Sequence, residues 1–458
     1  MKKNRFLQLS DAYSLLIIIT LAFGLRLIFF STVQPWNERI TNEPAIESDA
    51  LEYNQLALSI ISDKSFENFN SFRTPGYPLF VALLYSMSSS SVQFVLLVQI
   101  FVSLASIFLI YKIAVLFLQP KISLLSAFLF AFDTTQATYT VSLLTETLFV
   151  FLFLLSVYCF CNYLKYNNIL SLCISALILG LATLVRPILI FFPVVVVPII
   201  LIERDMKTTH KLIRILCFVL IFFLTVSPWL LHNYSKYGEA KLSSISGLNL
   251  LYYNAAYTEA SKTGKSVDEA RKEFNIKAAE LGADTADIYC FKNSSIYSAI
   301  AKQYIKGNLL LYAKQHLKGT INMFKGFGVQ KLAMTLNLTA ESNHSEYIGR
   351  SGIFNRITNF IKGKSAGILL LYLLLGLYLW TNYIFSVYGI FVLCKDRKMI
   401  MIILLFILII LYFAALTGVV GYPRYRIPLM PFINILCATG IFALYEKYRS
   451  KYVVDLRF

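Results

Sequence analysis

Apolar runs of about 20 residues recur along most of the chain, and this recurrence limits the fold more than any other feature. A segment in hydrocarbon has no water to satisfy its N–H and C=O groups, so each run must close its own hydrogen bonds as a helix. Spans are expected near 13–31, 92–118, 122–141, 146–164, 169–186, 187–203, 211–231, 366–393, 399–417 and 422–445, with a shorter apolar segment at 77–87 that dips in without crossing. Hydrophobic side chains make up 57% of the 458 residues and charged ones only 15%, which excludes an ordinary soluble protein. The expected fold class is all-α: a polytopic membrane protein of about ten transmembrane helices.

The formal charge of +17 suggests nucleic acid until its distribution is read. With these spans every other connection is basic: Lys2, Lys3 and Arg5; Lys121; Lys165; Arg204, Lys207, Lys211 and Arg214; Lys395, Arg397 and Lys398; Lys447, Arg449, Lys451 and Arg457. That is positive-inside patterning, which puts both termini in the cytoplasm and predicts no nucleic-acid partner. The first run follows a basic start, but its length, Arg26 and the lack of a small-x-small cleavage pattern favour a retained helix over a signal peptide. Six of seven cysteines lie in or beside apolar runs, leaving Cys290 alone in a polar segment, so neither a disulfide framework nor zinc spacing is visible.

The first outer loop, 32–76, gathers Glu38, Glu43, Glu47, Asp49, Glu52, Asp63 and Glu67 against Arg39, Lys64 and Arg73. Apolar residues recur at helical intervals from Asp49, which predicts an amphipathic helix on the membrane with Asp49 or Ser48 as its cap. Arg73-Thr-Pro-Gly76-Tyr77-Pro then turns the chain back; the prolines set φ, Gly76 permits the tight geometry, and Arg73 is a candidate for snorkelling.

Later junctions carry the remaining charge. Glu146 opens a span in the outer loop near 133–146, where the helix dipole favours it. Arg186-Pro187 breaks two spans; proline explains the break, but a guanidinium in so apolar a place needs an anionic partner. Trp229 and His232 close the seventh span, with Trp229 read as an interfacial anchor. Arg424 and Arg426, interleaved with tyrosines, suit a phosphate, which guanidinium binds bidentately.

Between these junctions lies a polar segment, 232–365, with 18 Lys/Arg against 10 Asp/Glu from Asn233 onward. Ser266 with Glu269 marks a helix start, and further helical patterns run over 284–306 and 309–324, the last with a stripe of Leu310, Leu311, Ala313, Leu317 and Ile321. A helical extracytoplasmic subdomain is expected, between an N-terminal transmembrane module (1–231) and C-terminal spans (366–458). Its basic excess suits anionic lipid or glycan, or a solvated face.

In order, Arg26, Asp49 with Tyr53 and Leu56-Ala57, Arg73-x-Pro-Gly-Tyr-Pro, Thr145-Glu146-x-Leu-Phe, Leu184-Val-Arg186-Pro187, Pro228-Trp229-x-x-His232-Asn233 and Arg424-Tyr-Arg426-x-Pro428 span nearly the whole chain. This series resembles the GT-C superfamily of membrane glycosyltransferases, and more narrowly the bacterial relatives of dolichyl-phosphate-mannose protein mannosyltransferases, including the aminoarabinose transferase of lipid A. The resemblance implies a GT-C-like fold, a polyprenyl-phosphate sugar donor and a catalytic aspartate after the first span, which falls on Asp49. It places Arg186, Arg424 and Arg426 against the donor phosphate, with Arg73, Tyr53 and Tyr77 among the substrate-binding side chains. His232 stands where many relatives have arginine, and Asp49 lacks the adjacent acid of the eukaryotic protein mannosyltransferases.

The reaction so implied needs a base for the acceptor proton and positive groups for the leaving phosphate. Asp49 is assigned as base, Arg186, Arg424 and Arg426 as clamp, and Glu146 and Arg73 as positioning or charge-balancing groups. The acceptor would be a lipid, glycan or protein on the extracytoplasmic face of the inner (plasma) membrane. Outer acids leave a divalent metal possible, but four scattered histidines give no ligand pattern and no metal or other cofactor is predicted. The competing classes are a transporter or flippase of a lipid-linked or anionic substrate and a polyprenyl-diphosphate glycan polymerase or ligase; no internal repeat supports the first.

Overall fold

The computed structural model describes residues 9–36, 49–63, 66, 69–203, 206–338 and 364–455, with the side chains of 450–455 left aside; Glu38, Glu43, Glu47 and Glu67 of the expected acidic loop lie outside these. All regular structure among the described residues is helical.

The N-terminal half runs α1 (Leu9–Val33), α2 (Asp49–Asp63), α3 (Gly76–Ser88), α4 (Val92–Phe117), α5 (Pro120–Ala131), α6 (Thr134–Tyr139), α7 (Glu146–Tyr166), α8 (Ile169–Val185), α9 (Pro193–Ile202) and α10 (Thr208–Tyr237). In the polar segment, α11 (Ile245–Leu248) passes through a π-helical turn, Asn249–Ala255, into α12 (Ala256–Thr263). Then follow α13 (Val267–Glu280), α14 (Phe291–Gly307), α15 (Leu309–Lys325) and α16 (Val329–Thr335), and finally α17 (Ala366–Leu393), α18 (Ile400–Leu416) and α19 (Met430–Asp455).

Among the described residues six helices are long and apolar enough to cross a membrane: α1, α4, α7, α10, α17 and α18 with its leading turn, Arg397–Leu416. Four more apolar stretches are shorter: Gly76–Ser88, Pro120–Ala131, Ile169–Val185 and Pro187–Ile202. Apolar sequence outruns helical continuity here, because Asp133 and Pro187 interrupt the backbone. The span expected at 122–141 is therefore cut at Asp133, leaving α5 with 12 residues. At 1.5 Å per residue that is about 18 Å, short of a ~30 Å core. Likewise 187–203 opens as a 3-10 turn, Pro187–Phe191, and 422–445 becomes helical only at Met430, after a 3-10 turn at Pro423–Arg426. In the other direction, α10 continues past Pro228 to Tyr237 and ends on Gly238 with φ +71°.

The expected outer loop at 133–146 is instead buried inside the bundle, with Asp133, Thr138, Thr140 and Ser142 all at 2% exposure or less. Irregular backbone is tolerated there only if its polar groups find protein partners. They do: Gln99 Nε2 donates to the carbonyls of Thr140 (3.1 Å) and Ser142 (2.9 Å), and Asp133 accepts from Gln136 N at 3.2 Å. Arg26, wholly buried, donates to Ser103 Oγ, Gln136 Oε1 and the carbonyls of Ala22 and Ala131. This plug carries the start of α7 into the interior.

The main core runs through α4, α7, α8, α10, α18 and α19. The polar segment has a small core of its own, around Leu251, Phe274, Tyr297 and Ile300, and Ser266 with Glu269 forms a capping box on α13.

Candidate active site

Helix α2 starts at Asp49, so Asp49, Glu52 and Tyr53 share one face at i, i+3 and i+4. Facing them is the turn before α3, where Asn70 Oδ1 accepts from the backbone N–H of Phe72 (3.2 Å) and Arg73 (3.3 Å), an Asx-type turn that aims the arginine. Arg73 is only 9% exposed, so it does not snorkel; Nη2 lies 2.7 Å from Asp49 Oδ1 and Nε 2.8 Å from Glu52 Oε2. Its guanidinium also lies over the Tyr53 ring, 4.9 Å from the centroid, and Asn70 Nδ2 donates to Glu52 Oε1 at 3.1 Å. Asp49 thus faces cations, while Ser48, the other cap candidate, lies outside the described residues.

The second half comes from three distant segments. Glu146, the first residue of α7, is 3% exposed because the plug loop carries it inward. Arg186, directly after α8, supplies the anionic partner its position demanded: Nη1 stands 3.1 Å from Glu146 Oε1, with the guanidinium 5.4 Å from the Phe149 ring centroid. Arg424 on the Pro423–Arg426 turn joins the halves, with Nη2 3.3 Å from Asp49 Oδ2 and Nε 3.8 Å from Glu146 Oε1. Three carboxylates therefore meet three guanidiniums at one end of the bundle. Two buried atoms in this set have no hydrogen-bond partner, Glu146 Oε2 and Arg424 Nε.

The electrostatics follow from the packing. Burial alone would raise the Asp49 pKa, but the charges and hydrogen bonds of Arg73 and Arg424 outweigh it and hold the carboxyl below its ordinary 3.8. Burial opposes the positive charge of Arg73 and Arg424 too, and their acidic neighbours more than offset it, so both sit above the usual arginine value. The Asp49 side chain keeps 31% of its surface open, that of Arg424 29% and that of Glu52 26%, whereas Glu146 keeps 3%.

Other expected site residues go elsewhere. Tyr77 is fully buried; its hydroxyl donates to Gln99 Oε1 at 2.7 Å and its ring meets Tyr53 edge-on at 5.1 Å, so it braces the plug loop through Gln99. Arg426, 2% exposed, gives its donors to the carbonyls of Met323 (3.0 Å) and Gly326 and to Thr135 Oγ1 (3.4 Å), and does not join the carboxylates. Trp229 is not an interfacial anchor: it is 6% exposed, packed on Phe66 and Phe69 and donating to Leu242 O at 2.8 Å. His232 stacks on it at 4.8 Å, with Nε2 buried and unpartnered. Glu52 and Asn70 are the partners that sequence reasoning passed over, although Glu52 lies three residues after Asp49 on the same helical face. Among the described residues no group of three or more His, Cys, Asp or Glu is placed to hold a metal, and both Asp49 oxygens already face guanidiniums.

The site belongs to a helical membrane protein with charge gathered at one end of its bundle, an arrangement that other proteins share. Residues 73–232 match the dolichyl-phosphate-mannose-protein mannosyltransferase family. No curated protein matches the chain. Among solved structures, the Archaeoglobus fulgidus oligosaccharyltransferase AglB, in complex with an inhibitory peptide and a dolichol-phosphate, aligns over 98% of this chain and 52% of its own with 12% identity and a TM-score of 0.52. The apo form of the Archaeoglobus fulgidus oligosaccharyltransferase gives 0.53 at 11% identity, over 99% and 53%. The chain thus spans about half the length of these structures. A looser likeness, 0.41 at 11% identity over 93% and 77%, is to Cupriavidus metallidurans ArnT bound to undecaprenyl phosphate. The chain shares the fold of these oligosaccharyltransferase structures, and the family match over 73–232 agrees with the resemblance to GT-C enzymes read from the motifs.

Proposed function

We propose that this chain is an integral membrane glycosyltransferase, a hexosyl- or pentosyltransferase, moving a sugar from a polyprenyl-phosphate donor to a lipid, glycan or protein acceptor. The observation that carries the reading is the partly open Asp49 carboxylate, held ionised between Arg73 and Arg424 and joined through Arg424 to the Glu146–Arg186 pair. The family match over 73–232 brings the same chemistry to the segment holding Arg73, Glu146 and Arg186.

The acceptor hydroxyl or amine gives its proton to Asp49 while its oxygen or nitrogen attacks the anomeric carbon, and the phosphate leaves with the bonding pair. Attack in one step inverts that carbon. A carboxylate clamped by two guanidiniums is a weak base, so the donor has a second task. Its phosphate competes for Arg424 and Arg186, and as Arg424 turns toward it Asp49 loses a counter-charge and gains basicity. Glu146 then keeps Arg186 in place, and Glu52 keeps Arg73. Arg426 serves at one remove, by fixing the turn from which Arg424 projects.

The basic connections at Lys165, Lys207, Lys211 and Arg214 lie at the opposite ends of the helices from this cluster, which supports an extracytoplasmic site and cytoplasmic termini in the plasma membrane. The test has two stages. Lipid-linked sugars and surface glycans compared with and without the protein identify donor and acceptor. Transfer is then measured for Asp49→Asn inserted at normal levels, with a loss of roughly 10²- to 10⁴-fold expected for removing a general base. Unchanged transfer would show that Asp49 is not the base and favour a polymerase or ligase that relies on its arginines.

A further inference from the structure

Helix α15 turns its apolar stripe away from the protein. Leu310, Leu317 and Ile321 fall on one side of it and are 87%, 61% and 53% exposed. Lys314, Lys318 and Lys325 line the edge of that stripe and are exposed as well. From 288 to 340 the chain carries seven lysines and no acidic residue.

The opposite side of α15 is fastened to apolar spans. His316 Nε2 lies 3.0 Å from Ala415 O, and Thr320 Oγ1 donates to Ala414 O at 3.3 Å, so α15 covers carbonyls that the last turn of α18 leaves without helical partners. Gly319 makes this approach feasible: a Cβ there would stand 2.3 Å from Val419 O and 2.6 Å from Gly418 O. Further along, the hydroxyl of Tyr383, well inside the 28-residue α17, donates to Phe324 O at 2.8 Å. A helix tied at its middle and its C-terminal end to membrane-crossing helices lies beside them, and large aliphatic side chains facing outward there are positioned to meet lipid.

We infer that α15 is an interfacial helix, with Leu310, Leu317 and Ile321 seated in the acyl region of the leaflet beside the Arg424 turn and Lys314, Lys318 and Lys325 binding anionic phospholipid headgroups. Its buried edge also holds Arg426, through Met323 O and Gly326 O, so the lipid-seated helix fixes the height of the turn that carries Arg424.

The test leaves all seven cysteines in place. A diazirine-bearing amino acid replaces Leu317, or exposed Glu280 on α13 as control, and the full chain is reconstituted in phosphatidylethanolamine vesicles with or without phosphatidylglycerol. After illumination, lipid adducts at position 317 are expected at about tenfold or more over position 280, as insertion of the apolar face requires. Equal yields at the two positions overturn the placement. Phosphatidylglycerol is expected to be over-represented among the adducts relative to its share of the vesicle, and raising the salt should remove that excess, since exposed charges are screened within a Debye length. The triple variant Lys314→Glu, Lys318→Glu, Lys325→Glu should remove it at low salt. An excess that survives both salt and charge reversal overturns the headgroup assignment.

Discussion

Arg424 places its Nη2 3.3 Å from Asp49 Oδ2 across 375 positions of sequence, and so joins the first polar segment to the last. Because its Nε stands 3.8 Å from Glu146 Oε1, one guanidinium sets the charge felt by two carboxylates. A single substitution at Arg424 therefore acts on both.

The pH dependence of transfer follows from that coupling. In the free chain burial raises the Asp49 pKa and the two arginines lower it by more, so the carboxylate stays ionised until the pH falls below its ordinary value. The free enzyme's groups govern kcat/KM, so its acid limb should lie below about pH 4. Arg424→Gln removes one positive charge and leaves the burial, so the proton binds more tightly and the limb should move to higher pH. A rate-versus-pH series on both proteins checks this, and a limb that stays in place would assign the titration to another group.

Charge at the ends of apolar spans was legible because it is costly there and demands a reason. That signal found Asp49, Arg73, Glu146, Arg186 and Arg424, all of which the structure brings together. It read Arg426 the same way, but guanidinium donors are also satisfied by backbone carbonyls, and only the packing of α15 shows which acceptor is present. The spans were legible as apolar lengths and the break at Pro187 from the proline itself, whereas the break at Asp133 was not, since hydropathy does not register where a helix stops. The plug loop remained hidden for a related reason: Gln99, Gln136 and Ser103, which satisfy it, are polar residues within or beside apolar runs and carry no sequence signature of their partners.

The Glu146–Arg186 pair separates structural from chemical roles. Removing one partner of a buried pair leaves an uncompensated charge and costs about 3–5 kcal/mol, whereas replacing both with apolar residues of similar size is often neutral. Glu146→Leu alone should thus lower the thermal stability of the purified protein, and the double variant Glu146→Leu, Arg186→Leu should recover much of it. Transfer should stay lost in the double variant, because the cation meant for the donor phosphate is gone. Recovery of both stability and transfer would make the pair purely structural.

Gly76 provides a test of how the site is held. Its φ is not in the left-handed region, so the turn does not require glycine; the close approach of α8 does. A Cβ at this position would lie 2.7 Å from the carbonyl carbon and oxygen of Leu184 and 2.8 Å from Val185 N, all backbone atoms that cannot rotate aside. Thr74 Oγ1 already ties the same turn to Val185 O at 3.2 Å, one residue before Arg186. Gly76→Ala should therefore push the Arg73 turn away from Arg186, with an overpacking cost of about 1–3 kcal/mol and a fall in transfer. Gly24→Ala, where no atom lies within 4 Å of the added carbon, is the matched control and should leave both unchanged. If thermal melting and transfer of Gly76→Ala match those of the Gly24 variant, contact between α3 and α8 does not set the spacing of the arginines, and the plug loop alone must do so.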